Sequence, residues 1–289
     1  MDVLKPDFQH GVEYWANTPA TVDGVLGGFG PATSVPRLDS AMTRMLLLSL
    51  LPQLSTIAKP TPTSPKRSFR ALDCGAGIGR VTSTVLLPLF DRIDLVEPVS
   101  KFVEVAKEDA TKAGKEGWKL LKGKEDGGKG GKGVRMWLAG LQYFDPRIPG
   151  VALEGGESVE VGRFGDEALS WPQATSETPE EDGYDVVMVQ WCIGHLSDAE
   201  LVSFLQRSQK ALRRTEFGLE GYIVLKENVC KDDADEGRGS LFDDDDSSIT
   251  RSDKVFRKVF ADAGLTIIRR ELQKGFPAEL FPVIAYVLR

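Results

Sequence analysis

Leu72-Asp73-Cys74-Gly75-Ala76-Gly77-Ile78-Gly79-Arg80 decides the fold. An apolar segment leads into it, and Val81, Val85, Leu86 and Leu87 lead out of it. That order gives a strand, a glycine turn and a helix. Glycines at alternating positions let the chain turn tightly and let a ligand approach the backbone without meeting Cβ atoms. The helix start behind them offers N–H groups with no partner inside the helix. A nucleotide-like ligand follows from this arrangement; the plainer alternative is a purely structural turn.

The spacing narrows the ligand. A dinucleotide turn reads G-x-G-x-x-G, with the pyrophosphate on the helix N-terminus. Here the third glycine comes one residue early, and Arg80 stands in its place. Asp73 precedes the first glycine by two residues. The pattern D-x-G-x-G-x-G resembles the first motif of class I methyltransferases, which bind S-adenosylmethionine. That ligand has no pyrophosphate and carries an ammonium, so a carboxylate at the strand end suits it.

Outward from the turn, strands and helices alternate. Strands are expected at 69–74, 93–96, 134–138, 184–190, 221–226, 265–272 and 283–288, with helices at 80–89, 100–113, 197–212 and 253–263. Ser197-Asp198-Ala199-Glu200 reads as a capping box, and Gly264 stops the last helix. Val186-Val187-Met188-Val189 suits a strand covered on both faces. The expected fold is α/β: a doubly wound, mostly parallel seven-stranded sheet with an N-terminal helical extension. Residues 1–68 form that extension, including a glycine-rich covering loop over Gly24–Gly30 and a helix capped by Asp39 or Ser40. Residues 59–67, rich in Pro, Thr and Ser, connect it to the main domain, 69–289. Insertions are expected at about 112–132, rich in Lys and Gly, and at about 149–183, a polar excursion ending in Glu180, Glu181 and Asp182.

Composition limits the partners. The 289-residue chain has a formal net charge of −7, which opposes tight nonspecific binding to nucleic acid and suits a basic partner. Its three cysteines, Cys74, Cys192 and Cys230, lack metal spacing, and with only His10 and His195 present a histidine-rich metal site is excluded. No metal is expected. No apolar run reaches membrane-spanning length. The N-terminal residues show no signal-peptide pattern. No membrane partner is expected, and the chain is expected in the cytoplasm and nucleus as a monomer.

In open α/β sheets ligands bind beyond the carboxyl ends of the strands. Gly75, Gly77 and Arg80 come from the first turn. Glu97 ends the second strand, where an acid can accept from both ribose hydroxyls. Leu141 and Gln142 follow the third strand, where they can flank and hydrogen-bond an adenine. Gln190-Trp191-Cys192-Ile193-Gly194-His195 follows the fourth, on the reacting side. The Asn/Asp-Pro-Pro-aromatic motif of enzymes that methylate base amines is absent there. Trp191 offers an apolar wall or a cation-π face. His195 is a base or simply a satisfied histidine beside the capping box. Beyond the fifth strand, Asp243-Asp244-Asp245-Asp246 is either a solvated loop or a recognition site for a cation; the spacing of a calcium loop is missing.

These segments together resemble one family, the protein N-terminal methyltransferases that modify the α-amino group of Xaa-Pro-Lys/Arg N-termini. The resemblance covers nearly all of the chain outside the two insertions. It rests on Tyr14-Trp15, Pro19 to Gly30, Ala71 to Thr82, Gln190 to Leu196, Asn228, Asp243 to Ser248 and the final Ala285-Tyr286-Val287-Leu288-Arg289. It implies that S-adenosylmethionine is held by Trp15, Gly75, Arg80, Glu97, Leu141, Gln142 and Gln190. It implies that Asn228, Asp243, Asp246 and Ser248 hold the substrate N-terminus, with Leu26 and Trp191 bordering the channel. Asp246, His195 and Asn228 would then be nearest the chemistry. The implied partners are proteins with basic N-terminal tails, ribosomal proteins among them. Glu97 stands where many members carry Asp, and Phe281 where relatives can have Tyr, which removes one hydroxyl from the substrate side. A lysine or small-molecule amine methyltransferase, and a non-catalytic binding module, are the competing readings.

Overall fold

The computed structural model describes residues 5–55, 68–112, 118–121, 131–166, 169, 171, 183–215 and 218–289. The connection at 59–67, most of the basic insertion and the acidic end of the second insertion lie outside these residues.

Helix α1 (Phe8–Asn17) starts where the Asp7 carboxylate accepts from the His10 N–H at 3.1 Å. A single 3-10 turn follows at Gly24–Leu26, then helix α2 (Val35–Leu50). The expected start of α2 at Asp39 or Ser40 is corrected. It begins at Val35 with Pro36 in the first turn, where a missing N–H costs little. Asp39 therefore lies inside the helix, on its buried side.

Strand β1 (Arg70–Cys74) leads through the glycine turn into residues 80–89. The helix expected there changes character on the way: Thr82–Leu86 is a π turn, and α3 (Leu87–Leu89) completes the segment. Pro88 cannot donate to the carbonyl four residues back, that of Thr84. The Arg44 side chain of α2 donates to that carbonyl instead, Nε to O 2.7 Å. After these come β2 (Arg92–Glu97), α4 (Ser100–Thr111), β3 (Gly133–Ala139), β4 (Ser158–Gly165) and β5 (Val186–Gln190). Helix α5 (Asp198–Lys210) opens with the expected capping box: Ser197 N–H donates to Glu200 Oε2 at 2.8 Å, and Glu200 N–H to Ser197 Oγ at 3.4 Å. The chain continues with the small ribbon β6 (Arg214–Thr215) and β7 (Gly218–Leu219), then β8 (Tyr222–Asn228) and α6 (Ala234–Gly237). The hairpin β9 (Ser240–Asp243) and β10 (Ser248–Arg251), α7 (Asp253–Asp262), β11 (Ile267–Leu272) and β12 (Val283–Leu288) complete it.

The main sheet runs β11-β12-β8-β5-β1-β2-β3-β4. Its five central strands, β8, β5, β1, β2 and β3, are parallel, and the flanking pairs are antiparallel. All seven expected strands form. The eighth, β4, lies in the segment expected as an excursion and pairs with β3. It forms the edge of the sheet, with Val161 packed against the core, Val159 exposed and a register shift opposite Met136 and Trp137.

Period two sorts the side chains between two cores. Leu72, Cys74, Val187, Val189, Ile223 and Leu225 face α5 and α7, whose Leu201, Phe204, Phe256 and Phe260 complete that layer. Ala71, Val186, Met188 and Val224 face the opposite layer, with Leu46 and Leu47 of α2, Val85, Leu86 and Ala106. Strand order reverses between β1 and β5, so the crevice past their carboxyl ends is the natural ligand site.

Candidate active site

The glycine turn makes the floor of a cavity at that crevice. Gly75 and Gly77 have φ of +59° and +57°, a conformation glycine adopts without strain. A Cβ on Gly75 would also sit 2.2 Å from the Cβ of Cys192, so only glycine lets the loop after β5 come this close. Glu97 closes the next side. Its carboxyl accepts from the Gly77 N–H at 2.8 Å and the Val99 N–H at 2.9 Å. Burial pushes its pKa up to about 7, and the nearby Asp73 adds to the rise. Asp73 itself is raised to about 6 by burial, against the opposing bond from Thr82 Oγ1 at 2.5 Å. It is buried against the π turn and does not itself line the cavity.

Leu141 and Gln142, after β3, form the far wall. Arg207 of α5 fixes them by donating to the Leu141 and Gln142 carbonyls at 3.0 and 3.2 Å. The roof is α1: Phe8, Gly11, Val12 and Trp15 line the cavity, joined by Val25. Phe8, Val12 and Trp15 recur at helical spacing behind the Asp7 cap, a signal present in the sequence but overlooked there. Lys101 of α4 holds the far end of α1, its Nζ donating to the carbonyls of Ala16 and Thr18 at 3.0 and 2.8 Å.

The reacting side is the turn after β5, from which Trp191, Cys192 and His195 reach the cavity. Trp191 has φ +52°, a left-handed conformation costing about 1–3 kcal/mol for such a residue. Buried Arg251 of β10 pins the turn, donating to the Ile193 carbonyl at 3.2 Å and the Leu196 carbonyl at 2.6 Å. From behind, the Glu227 carboxyl accepts from the Cys192 and Ile193 backbones and from the Asn228 N–H at 2.9 Å. The residue is only partly covered, but its carboxyl is enclosed, and burial raises it to about 7.

His195 receives the Trp15 indole N–H at Nε2, 2.9 Å away. Asp246 Oδ2 stands 4.0 Å from the same nitrogen, and Asp246 Oδ1 is buried without a partner among the described residues. Burial lowers the His195 pKa, against upward pulls from Asp246 and the Ser247 backbone. Ser247 holds φ +54° and accepts from the Asp7 N–H at 2.7 Å, which ties the acidic turn to α1.

Thus Trp15, Gly75, Gly77, Glu97, Leu141, Gln142, Trp191 and His195 share one cavity. Asp246 adjoins it through His195. Ser248 packs against the same turn, where a Cβ on Gly194 would be 3.2 Å from its own. Asp243 is exposed opposite Ser248 in the hairpin, its Oδ1 accepting from the Asp245 N–H at 2.9 Å. Asn228 ends β8, and Leu26 ends the 3-10 turn whose Val25 reaches the cavity.

Arg80 and Gln190 do not line this cavity, although the Arg80 guanidinium lies 5.6 Å from the ring centroid of Trp191, which does. Both bond to Asp39, Arg80 Nη1 at 2.6 Å and Gln190 Nε2 at 3.0 and 2.9 Å. Lys226 completes the cluster with a bond to Asp39 and one to Thr43 Oγ1 at 3.2 Å. Gln190 and Lys226 stand at alternate positions after Met188 and Val224, so both point to the α2 layer. Burial alone would raise the Asp39 pKa, but Lys226 and Arg80 outweigh it and hold the carboxyl below its usual range. Burial lowers Lys226, against the pull of Asp39.

The donor set fits S-adenosylmethionine. Glu97 is a paired acceptor for vicinal hydroxyls, Leu141 and Gln142 suit a flat base, and the walls toward Trp191 are apolar. Among the described residues no helix is long and apolar enough to cross a membrane, and no cluster of three or more His, Cys, Asp or Glu could hold a metal.

Comparison with known proteins agrees with this geometry. A family model described as AdoMet dependent proline di-methyltransferase matches residues 5–147 and 173–289. An alpha N-terminal protein methyltransferase 1 of Arabidopsis thaliana is 34% identical over 281 residues, covering 97% of this chain and 79% of that protein. A human N-terminal Xaa-Pro-Lys N-methyltransferase 1 is 34% identical over 277 residues, 96% of this chain and 92% of that protein. Among solved structures, a SAM-dependent methyltransferase of Leishmania major superposes with a TM-score of 0.65 at 30% identity, covering 98% of this chain and 82% of that one.

Proposed function

The chain belongs to the AdoMet-dependent proline di-methyltransferase family, and on that premise we propose that it methylates the α-amino group of proteins beginning Xaa-Pro-Lys or Xaa-Pro-Arg. The observation that carries the reading is the buried Oδ1 of Asp246, without a partner among the described residues, beside a cavity lined by Trp15, Glu97, Leu141 and Trp191. A carboxylate oxygen so placed needs a donor, and a substrate ammonium supplies one.

S-adenosylmethionine would bring an electrophilic methyl group to the Trp191 side of the cavity. The protein must then present an amine with a free lone pair. A chain-terminal amine has a pKa of about 7.7–8.0, so neutralising it near pH 7 costs roughly 1 kcal/mol. A lysine side chain near 10.4 would cost roughly 5 kcal/mol, which favours the terminus. Asp246 first pairs with the ammonium and then takes its proton, directly or through water. Because a carboxylate also favours the charged amine, positioning and exclusion of water by α1 and Trp191 must share the work. Asn228 orients the nitrogen through its neutral amide. Asp243 and its neighbours attract the cation at the third substrate position. Proline at the second position has a fixed φ and no backbone donor, properties that a narrow channel past Leu26 can select. The net charge of −7 suits basic N-terminal tails, such as those of ribosomal proteins.

The test is to incubate an Xaa-Pro-Lys peptide with the protein and S-adenosylmethionine and to locate the added methyl groups by fragmentation in the mass spectrometer. Methyl groups on the first residue are expected. An unmodified peptide, from protein shown to bind the cofactor, would reject the reading.

A further inference from the structure

We propose that Trp15 is a positioning residue for the proton chemistry: by donating its indole N–H to His195 it prevents an internal His195–Asp246 ion pair and leaves Asp246 free for the substrate ammonium. The inference rests on the function proposed above.

Tryptophan is a donor only. Its 2.9 Å bond to Nε2 therefore requires that nitrogen to be unprotonated, so His195 is neutral with its proton on Nδ1. The same Nε2 is 4.0 Å from Asp246 Oδ2. Without the indole N–H, Nε2 is free to bind a proton and pair with that carboxylate. An imidazolium there would compete directly with an incoming ammonium for one negative charge.

Two further features support the arrangement. Gly11, one turn before Trp15, packs on the other side of the ring, where a Cβ would lie 2.9 Å from His195 Nδ1 and 3.3 Å from the Asp246 carbonyl oxygen. The missing side chain lets α1 reach His195 at all. In addition, α1 is anchored away from Trp15, by Asp7 N–H to Ser247 Oγ and by Lys101 to Ala16 and Thr18. Phenylalanine at position 15 keeps an aromatic ring toward Phe102 but is smaller than indole and lacks the N–H, so the pH dependence of KM rather than its absolute value reads out the lost donor.

The charged groups around His195 come from every neighbouring element. Asp246 faces it from the β9–β10 turn. Glu227 of β8 lies behind its turn, as does Arg251 of β10 with its partner Asp198 of α5. Helix α1 contributes Asp7 and His10 in its N-terminal region. Of these, Asp246 is the one whose charge pulls on His195.

The chain has only two histidines, so imidazole signals of untagged protein are directly readable by NMR, with His10→Gln assigning the pair. In Trp15→Phe the His195 pKa should rise by about one unit or more, and the peptide KM should rise roughly tenfold per pH unit below the new value. Well above that value the variant's peptide KM should become independent of pH. Adding His195→Asn to Trp15→Phe should abolish the extra rise of KM at low pH, whatever its kcat. Gly11→Ala, which favours the helix but pushes α1 off the ring, should raise the His195 pKa in the same direction. An unchanged His195 pKa in both variants would overturn the proposal, as would a KM that gains no pH dependence in Trp15→Phe or a pH dependence that survives the second substitution. Wild-type protein that never methylates the peptide would instead overturn the function proposed above, while the NMR titration would still report on the Trp15–His195 bond.

Discussion

Glu97 shows how one buried side chain can make cofactor affinity depend on pH. Its carboxyl is raised to about 7 because burial disfavours the charge. Only the ionised form accepts from both ribose hydroxyls. S-adenosylmethionine should therefore bind about tenfold more tightly at pH 8 than at pH 6, with proton release, when measured by calorimetry in buffers of different ionisation heat. Glu97→Gln should bind more weakly and lose most of that pH dependence. Asp246→Asn should lower kcat by about 10²–10⁴-fold, while equilibrium dialysis finds cofactor affinity within about twofold of wild type. Normal turnover in Asp246→Asn would remove Asp246 from the mechanism. At this scale the sequence is legible where a residue ends a strand. Glu97, Leu141, Gln142 and Trp191 all reach the cavity because period two and the switch point leave little choice. Asp39 was not legible as a site neighbour, since its meaning depends on which face of α2 is buried and on what β5 and β8 present to it.

Among the elements, α2 is held to the sheet by that cluster. Asp39 joins Arg80, Gln190 and Lys226 in a buried site. Removing one member of a buried ion pair leaves the other charge uncompensated, typically at 3–5 kcal/mol. Asp39→Ala should therefore cost about 3–5 kcal/mol in urea unfolding. The triple variant Asp39→Leu/Lys226→Met/Arg80→Met should recover much of that loss, because it removes all three charges. Equal stability of the single variant and wild type would show that the cluster contributes nothing to the fold. The elements differ in how readily they could be read. The capping box before α5 and the glycine after α7 use local chemistry and lie where expected. The π turn depends on Arg44 meeting a carbonyl freed by Pro88, a tertiary event. Strand β4 is glycine-containing and lies at the sheet edge, and its pairing with β3 supplies most of its identity. Helix α1 announces itself by the Asp7 cap and the spacing of Phe8, Val12 and Trp15, which the glycine-rich loop downstream obscured.

Over the whole molecule, the sheet gathers groups that are far apart in the chain. The glycine turn after β1, Glu97 after β2, Gln142 after β3, Trp191 after β5 and Asn228 at the end of β8 all belong to the carboxyl rim. Helix α1 and the β9–β10 turn, neither of them part of the main sheet, close over that rim and touch each other through Asp7 and Ser247. The α1 roof and the acidic turn place a carboxylate beside the cofactor cavity, as a reaction at a charged chain terminus requires. The most direct test compares initial rates of methyl incorporation for two Xaa-Pro-Lys peptides of one sequence, the first with a free N-terminus and the second acetylated there, both keeping the lysine. Incorporation into the free peptide alone is the predicted result. Comparable incorporation into the acetylated peptide would contradict the account, because the acceptor would then be the lysine.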